Sequence, residues 1–118
     1  MILVDTSIWV DHLRNGNREL TALLEEGEAV IHPFVIGELA CGNIRNRHEI
    51  IALFQELPSI PTIDQIEFMA FIERYHLSGL GLGFVDVHLL ASSRLSGIPL
   101  WTSDKALSHA AYKLRLSK

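Results

Sequence analysis

The chain has 118 residues, 48% apolar and 20% charged, which fits one domain over residues 1–118 with a proper core and excludes disorder. A net charge of −4 excludes a simple electrostatic nucleic-acid binder unless the acids gather around divalent cations, which invert the local field. No stretch approaches the ~20 apolar residues of a membrane span, and no signal-peptide pattern opens the chain, because Asp5 interrupts the first apolar run.

In chain order, "ILVD" (2–5) reads as a short buried strand carrying a carboxylate at its end, followed by a helix to about His12. "RELTALLEEG" places Leu20, Leu23 and Leu24 at helical spacing, with Gly27 as its stop. "EAVIHP" is a second strand. Pro33 suits a first helical position, and "FVIGELACGNI" continues as a helix. Within it Cys41, the only cysteine, reads as a small core residue; it permits no internal disulfide and points to a reducing cytoplasm. "RHEIIALFQEL" turns Ile50, Ile51, Phe54 and Leu57 inward and is closed by Pro58. "SIPTI" is a third strand. "DQIEFMAFIERYHL" has Ile66, Ala70 and Phe71 along one face and Asp64 as its cap. The glycines of "SGLGLGF" make a tight turn, "VDVHLLASSRLSG" is a helix and "IPLWTS" a fourth strand. A last helix starts near Asp104, ahead of a final edge strand in "KLRLS". Short strands alternating with helices predict a parallel sheet covered on both faces, a three-layer α/β/α sandwich.

In open parallel sheets, ligands bind beyond the carboxyl ends of the strands. Asp5 ends the first strand and Asp104 follows the fourth. Glu38 lies early in the helix leaving the second strand, and Asp86 starts the helix that runs back into the fourth. Four acids from four segments therefore converge on one edge. Glu38 in "FVIGELAC" and Asp86 in "GFVDVHLL" have apolar neighbours on either side, and a buried, unpaired carboxylate costs several kcal/mol. Clustered carboxylates also repel one another unless a cation sits among them. Such hard oxygen ligands suit Mg²⁺ or Mn²⁺, whereas zinc prefers histidine or cysteine. Helix capping is the competing account for Asp5, Asp104 and Asp86, and Glu38 fits it worst. Asp5 and Asp86 read as direct ligands, with Glu38 and Asp104 holding metal waters or a second ion.

No two of the six histidines stand at ligand spacing. His32 and His88 read as core or supporting residues near the site segments. Ser7 has no histidine partner to activate it, and "GLGLG" lacks the preceding strand that a dinucleotide fingerprint needs. Lys105 could meet a phosphate, and Arg45 and Arg47 in "GNIRNRH" form the best basic cluster for a phosphate backbone. Solvated surface charge is the alternative for all three. Trp9, Phe34 and Trp101 fall near the acidic edge, where exposure of one or two would give a peptide partner an anchor.

The segments "ILVDTSIWVDHLR", "VIGELACG", "GFVDVHLLASS" and "LWTSDKAL", in this order, resemble the PIN-domain ribonucleases, specifically the VapC-type toxins of bacterial toxin–antitoxin pairs. The resemblance implies an acidic quartet at Asp5, Glu38, Asp86 and Asp104, with small hydroxyl residues at Thr6 and Thr102 on the substrate side. It also implies a Mg²⁺-dependent endoribonuclease that cuts structured RNA and stops translation. Implied too are a homodimer and a VapB-type antitoxin lying across the acidic groove. Two other classes share parts of the pattern. A phospho-receiver domain would need an acidic pair after the first strand, where "VDTS" has one acid. A non-catalytic interaction module would use the acids as caps only.

Overall fold

The apolar runs at residues 2–4, 29–30 and 100–101 become the strands β1 (Ile2–Val4), β2 (Ala29–Val30) and β3 (Leu100–Trp101). In the computed structural model, which describes residues 1–118, they form one sheet in the order β2-β1-β3. Both pairings are parallel: Ile2 lies beside Ala29 and Leu3 beside Val30 on one side, Leu3 beside Leu100 and Val4 beside Trp101 on the other. Leu3 and Val4 are fully buried, as befits a central parallel strand covered on both faces. Burial of each such side chain contributes on the order of 1.5–3 kcal/mol.

Seven helices enclose the sheet: α1 (Thr6–Asn15), α2 (Arg18–Glu25), α3 (Pro33–Cys41), α4 (Arg47–Glu56), α5 (Gln65–Tyr75), α6 (Phe84–Ser96) and α7 (Lys105–Lys113). α1 packs on α3 and α3 on α4, α5 packs on α6, and β2 and β3 are covered by α2 and α6 respectively. The result is the expected α/β/α sandwich around one cluster of 22 buried apolar residues. Because all strands are parallel, α1 and α7 leave the same sheet edge. α3 starts there after β2, and α6 starts there before running back to β3.

Two expected strands shrink to single bridges. "SIPTI" contributes only Ser59, beside Ile31, together with the Pro58 carbonyl accepting from the Ile31 N–H at 2.9 Å. Pro58 and Pro61 have no N–H to give to a ladder, so the segment lends carbonyls instead; Pro61 accepts from Ser92 Oγ at 2.8 Å. "KLRLS" pairs only through Ser117, beside Leu100. Cys41 is exposed rather than in the core, because α3 ends there, short of Ile44. On α5 the buried face is also corrected. Ile66 is 81% exposed and Phe68 is buried. The face of Phe68, Phe71, Ile72 and Tyr75 wins because it brings three aromatic rings to the core.

Candidate active site

Asp5 ends β1 and is buried, only 5% exposed. It precedes α1 at the cap position, yet its side chain makes no capping bond. Its Oδ2 instead accepts from Ser7 Oγ at 2.8 Å and from Thr102 Oγ1 at 2.7 Å. Hydroxyl bonds to a carboxylate are worth roughly 1.5–3 kcal/mol each, enough to offset much of its desolvation. Ser7 is the hub of this corner. It also accepts from the Ser103 backbone N–H at 3.1 Å, and Thr102 accepts from the Asp104 N–H at 3.0 Å. The loop after β3 is thereby tied to the loop after β1.

The other three acids are held in a similar way. Asp104 caps α7, its Oδ1 accepting from the Leu107 N–H at 2.8 Å. Asp86 stands in the first turn of α6, where its Oδ2 accepts from the Gly83 N–H at 2.8 Å. The tight turn expected before it is present, with Gly79 and Gly81 at φ 74° and 78°, a region that favours glycine. Glu38 on α3 accepts from Thr6 Oγ1 at 2.6 Å through Oε1. Glu38 is exposed and Asp86 half-buried, so the burial expected for Glu38 is not found: the apolar residues flanking it in sequence point to other faces of α3. The capping account thus holds for Asp104 and, through a reach-back bond, for Asp86, but not for Asp5.

Asp86 feels the charges of the other three acids. The Asp86 carboxyl is raised above its ordinary value of 3.8, chiefly by burial; the Gly83 N–H opposes the rise, and the charges of Asp5, Asp104 and Glu38 reinforce it. None of the four carboxylates is paired with a lysine, an arginine or the amino terminus, since the salt bridges lie elsewhere, at Met1–Glu28 and Lys118–Glu19. Each acid is anchored through one oxygen, and its second oxygen has no protein donor. In the buried Asp5 and the half-buried Asp86 that second oxygen is not sealed away from water. The donor set is all oxygen, as Mg²⁺ and Mn²⁺ require. No three acidic or histidine side chains already stand as a closed cage. An ion that keeps several of its waters and takes only one or two carboxylates directly fits such an open arrangement.

The hydroxyls of Thr6 and Thr102, expected on the substrate side, are committed to Glu38 and Asp5. They position acids. Ser7, set aside as a nucleophile, is the residue that the sequence reading missed; its spacing of two from Asp5 at a helix start was the available signal. Lys105 is exposed at the start of α7. Arg47 is exposed but folds back, donating to the Gly42 carbonyl at 3.1 Å and to the Ala40 carbonyl, so it closes the end of α3. Arg45 is exposed in the turn before α4. Trp9 is 1% exposed and offers no anchor, whereas Phe34 and Trp101 are half-buried. His32 and His88 sit in an aromatic box: His88 stacks on Phe68 at 4.5 Å, and its ring lies 4.7 Å from that of Phe34. His32 is fully buried and caps α3, its Nδ1 accepting from the Phe34 N–H at 2.9 Å. Burial, helped by the neighbouring His88, lowers its pKa from 6.5 to about 4.

This fold, with acids meeting at the carboxyl edge of a short parallel sheet, belongs to a known class. The PIN-domain family model matches residues 2–113, and the chain belongs to that family. It is of the VapC type: it is 45% identical over 111 residues to ribonuclease VapC32 of Mycobacterium tuberculosis, from strains CDC 1551 / Oshkosh and ATCC 25618 / H37Rv alike. Each alignment covers 93% of this chain and 90% of the relative.

Proposed function

We propose that the chain is a divalent-metal-dependent endoribonuclease toxin, a phosphodiester hydrolase whose PIN-like domain spans residues 1–118. The observation that carries this reading is the shared design of the quartet: four acids, each tied by one oxygen, with the other free and no cationic side chain to balance them. Asp5 and Asp86 would hold Mg²⁺, or Mn²⁺, directly, and Glu38 and Asp104 would hold its waters. Such an ion, when bound, lowers the pKa of water and stabilises charge on the phosphoryl and leaving oxygens.

The chain's own residues prepare that chemistry. Ser7 and Thr102 fix Asp5 so that Oδ2 is occupied and Oδ1 is presented. Thr6 holds Oε1 of the exposed Glu38 and leaves Oε2 without a protein donor, free to orient the attacking water. The Gly83 N–H aims Asp86, and the Leu107 N–H aims Asp104. Burial, and after it the repulsion of the other three acids, raises the Asp86 carboxyl, so the metal-free site holds protons more readily and a cation must displace them.

The biological reading follows the VapC type. Structured cellular RNA is the substrate, translation stops when it is cut, and the setting is the cytoplasm. A VapB-type antitoxin neutralises the enzyme by placing a basic side chain among the free carboxylate oxygens, where charge-assisted bonds are strong. Phe84, 56% exposed and stacked on Phe34, offers an apolar anchor beside Asp86. A homodimer completes the reading, with exposed Ile66 and Met69 on α5 and Leu95 on α6 as available apolar surface.

The test is cleavage of a structured RNA by the purified chain with Mg²⁺ and with EDTA. Asp5→Asn and Asp86→Asn should each lower the Mg²⁺-dependent rate by at least a hundredfold while folded. Wild-type rates from the folded, metal-supplied variants would overturn the assignment.

A further inference from the structure

An open groove of about 1100 Å³ adjoins the acidic site: Thr102, which donates to Asp5, lines it together with Ser103 and Lys105, the chain neighbours of Asp104. This volume exceeds the roughly 300–1,000 Å³ of an enclosed small-molecule site, and the groove is a channel rather than a cavity. Its charge is unlike that of the rest of the chain. The sequence contains 14 acidic residues, yet no Asp or Glu lines this groove. Beyond Asp104 the chain carries Lys105, Lys113, Arg115 and Lys118 and no acid at all.

The cationic side chains are also ordered. Lys105, His109 and Lys113 recur every four residues along α7, so they share one face of that helix, and all three line the groove. All three are exposed, and neither lysine has an acidic partner. Between them stands Tyr112, 74% exposed, a large planar ring with no core role. Across the groove lie Tyr75 and His76, with the Arg94 guanidinium 4.8 Å above the Tyr75 ring. Cations that track a backbone, interleaved with aromatic faces, are the features that hold a single nucleic-acid strand.

We infer that this groove takes a single-stranded stretch of the RNA substrate, with phosphates on Lys105 and Lys113 and a base stacked on Tyr112, and leads it to the carboxylates. The inference rests on the ribonuclease reading but concerns a surface outside the acidic quartet. It also reconciles a chain of net charge −4 with a polyanionic substrate: the negative charge lies elsewhere, and the approach to the site is positive.

The experiment measures binding of a fluorescein-labelled 12-nucleotide mixed-sequence RNA to the full chain in EDTA, by anisotropy across a salt series. Lys113→Ala should lower the slope of log affinity against log salt by about 0.7, one phosphate contact on a single strand. Tyr112→Ala should weaken binding about tenfold and Tyr112→Phe should restore it, because stacking needs the ring and not the hydroxyl. In Mg²⁺-supplied cleavage the loss should fall on KM rather than kcat. A duplex of the same sequence should bind more weakly than the strand. The inference is overturned if the wild type binds no RNA, if both alanine variants match it in affinity and slope, or if duplex binds as well. It is equally overturned if the variants change only the oligomeric state, which would make this face a contact between copies. Absence of Mg²⁺-dependent cleavage alongside the expected binding pattern would instead sink the ribonuclease reading and leave the groove standing.

Discussion

Thr102 and His32 are small contributors to the contact surface, yet each has a measurable consequence. Thr102→Val keeps the shape and removes one of the two hydroxyls on the buried Asp5 oxygen. A lost hydrogen bond to a buried charge costs roughly 1.5–3 kcal/mol, so metal-free denaturant unfolding should show a loss of that order. Mg²⁺ should recover part of it by stabilising the same carboxylate. His32 titrates at about 4 in the folded chain because burial disfavours its charged form. Its folded pKa lies below its unfolded one, so the unfolded state binds more protons between pH 4 and 6.5. Stability is therefore full above pH 6.5 and falls as the pH drops toward 4, by about 3 kcal/mol in all. Asp86 acts oppositely in the metal-free chain, since its raised pKa makes stability fall as pH climbs above 3.8. In an Asp86→Asn background, then, the melting temperature should fall between pH 7 and pH 5. Adding His32→Asn, which keeps a capping acceptor for the Phe34 N–H, should lessen that dependence and leave the part that comes from His88, whose pKa burial also lowers. An unchanged slope would show that His32 is not the titrating group.

Helix α7 is capped by one of the proposed site residues. Asp104 accepts from the Leu107 N–H through Oδ1, and its Oδ2 has no protein donor. Asparagine caps about as well as aspartate, whereas alanine gives up roughly 1 kcal/mol. Asp104→Asn should therefore unfold like wild type and cleave RNA more slowly, while Asp104→Ala should lose both stability and rate. Equal rates for wild type and Asp104→Asn would leave Asp104 as a cap only. The same residue shows why much of the site was legible in the sequence. An acid at the end of an apolar strand or at a helix start can be placed on the sheet edge from periodicity alone, so Asp5, Asp86 and Asp104 are readable. Glu38 could be placed near the same edge but not read as exposed, because its apolar flanks occupy different faces of the helix. The bonds from Thr102 to Asp5 and from the Ser103 N–H to Ser7 were not readable, since they join residues 97 and 96 apart. Elements failed where prolines intervene. "SIPTI" has the apolar content of a strand but too few N–H groups to form a ladder, so only Ser59 pairs.

At the scale of the whole molecule, the uncompensated quartet should make metal binding visible without catalysis. A ligand present at 100 times its Kd, bound only by the folded state, adds about 2.7 kcal/mol. Mg²⁺ or Mn²⁺ should accordingly raise the melting temperature, EDTA should reverse it, and K⁺ at equal ionic strength should not reproduce it. The rise should vanish in the Asp5→Asn, Asp86→Asn double variant; its survival would place the ion elsewhere. The sheet itself has a further consequence. β1, at the amino end of the chain, is central, and its neighbour β3 lies at residues 100–101. Asp5 gains its Thr102 donor and its fellow acid Asp104 only when those two ends meet. Contacts so far apart in sequence close late in folding, and a chain emerging from its amino end holds Asp5 long before the residues that complete its surroundings exist. Until residues 102–104 have been made and folded back onto β1, Asp5 has neither its Thr102 donor nor its fellow acid Asp104, and the acidic edge is incomplete.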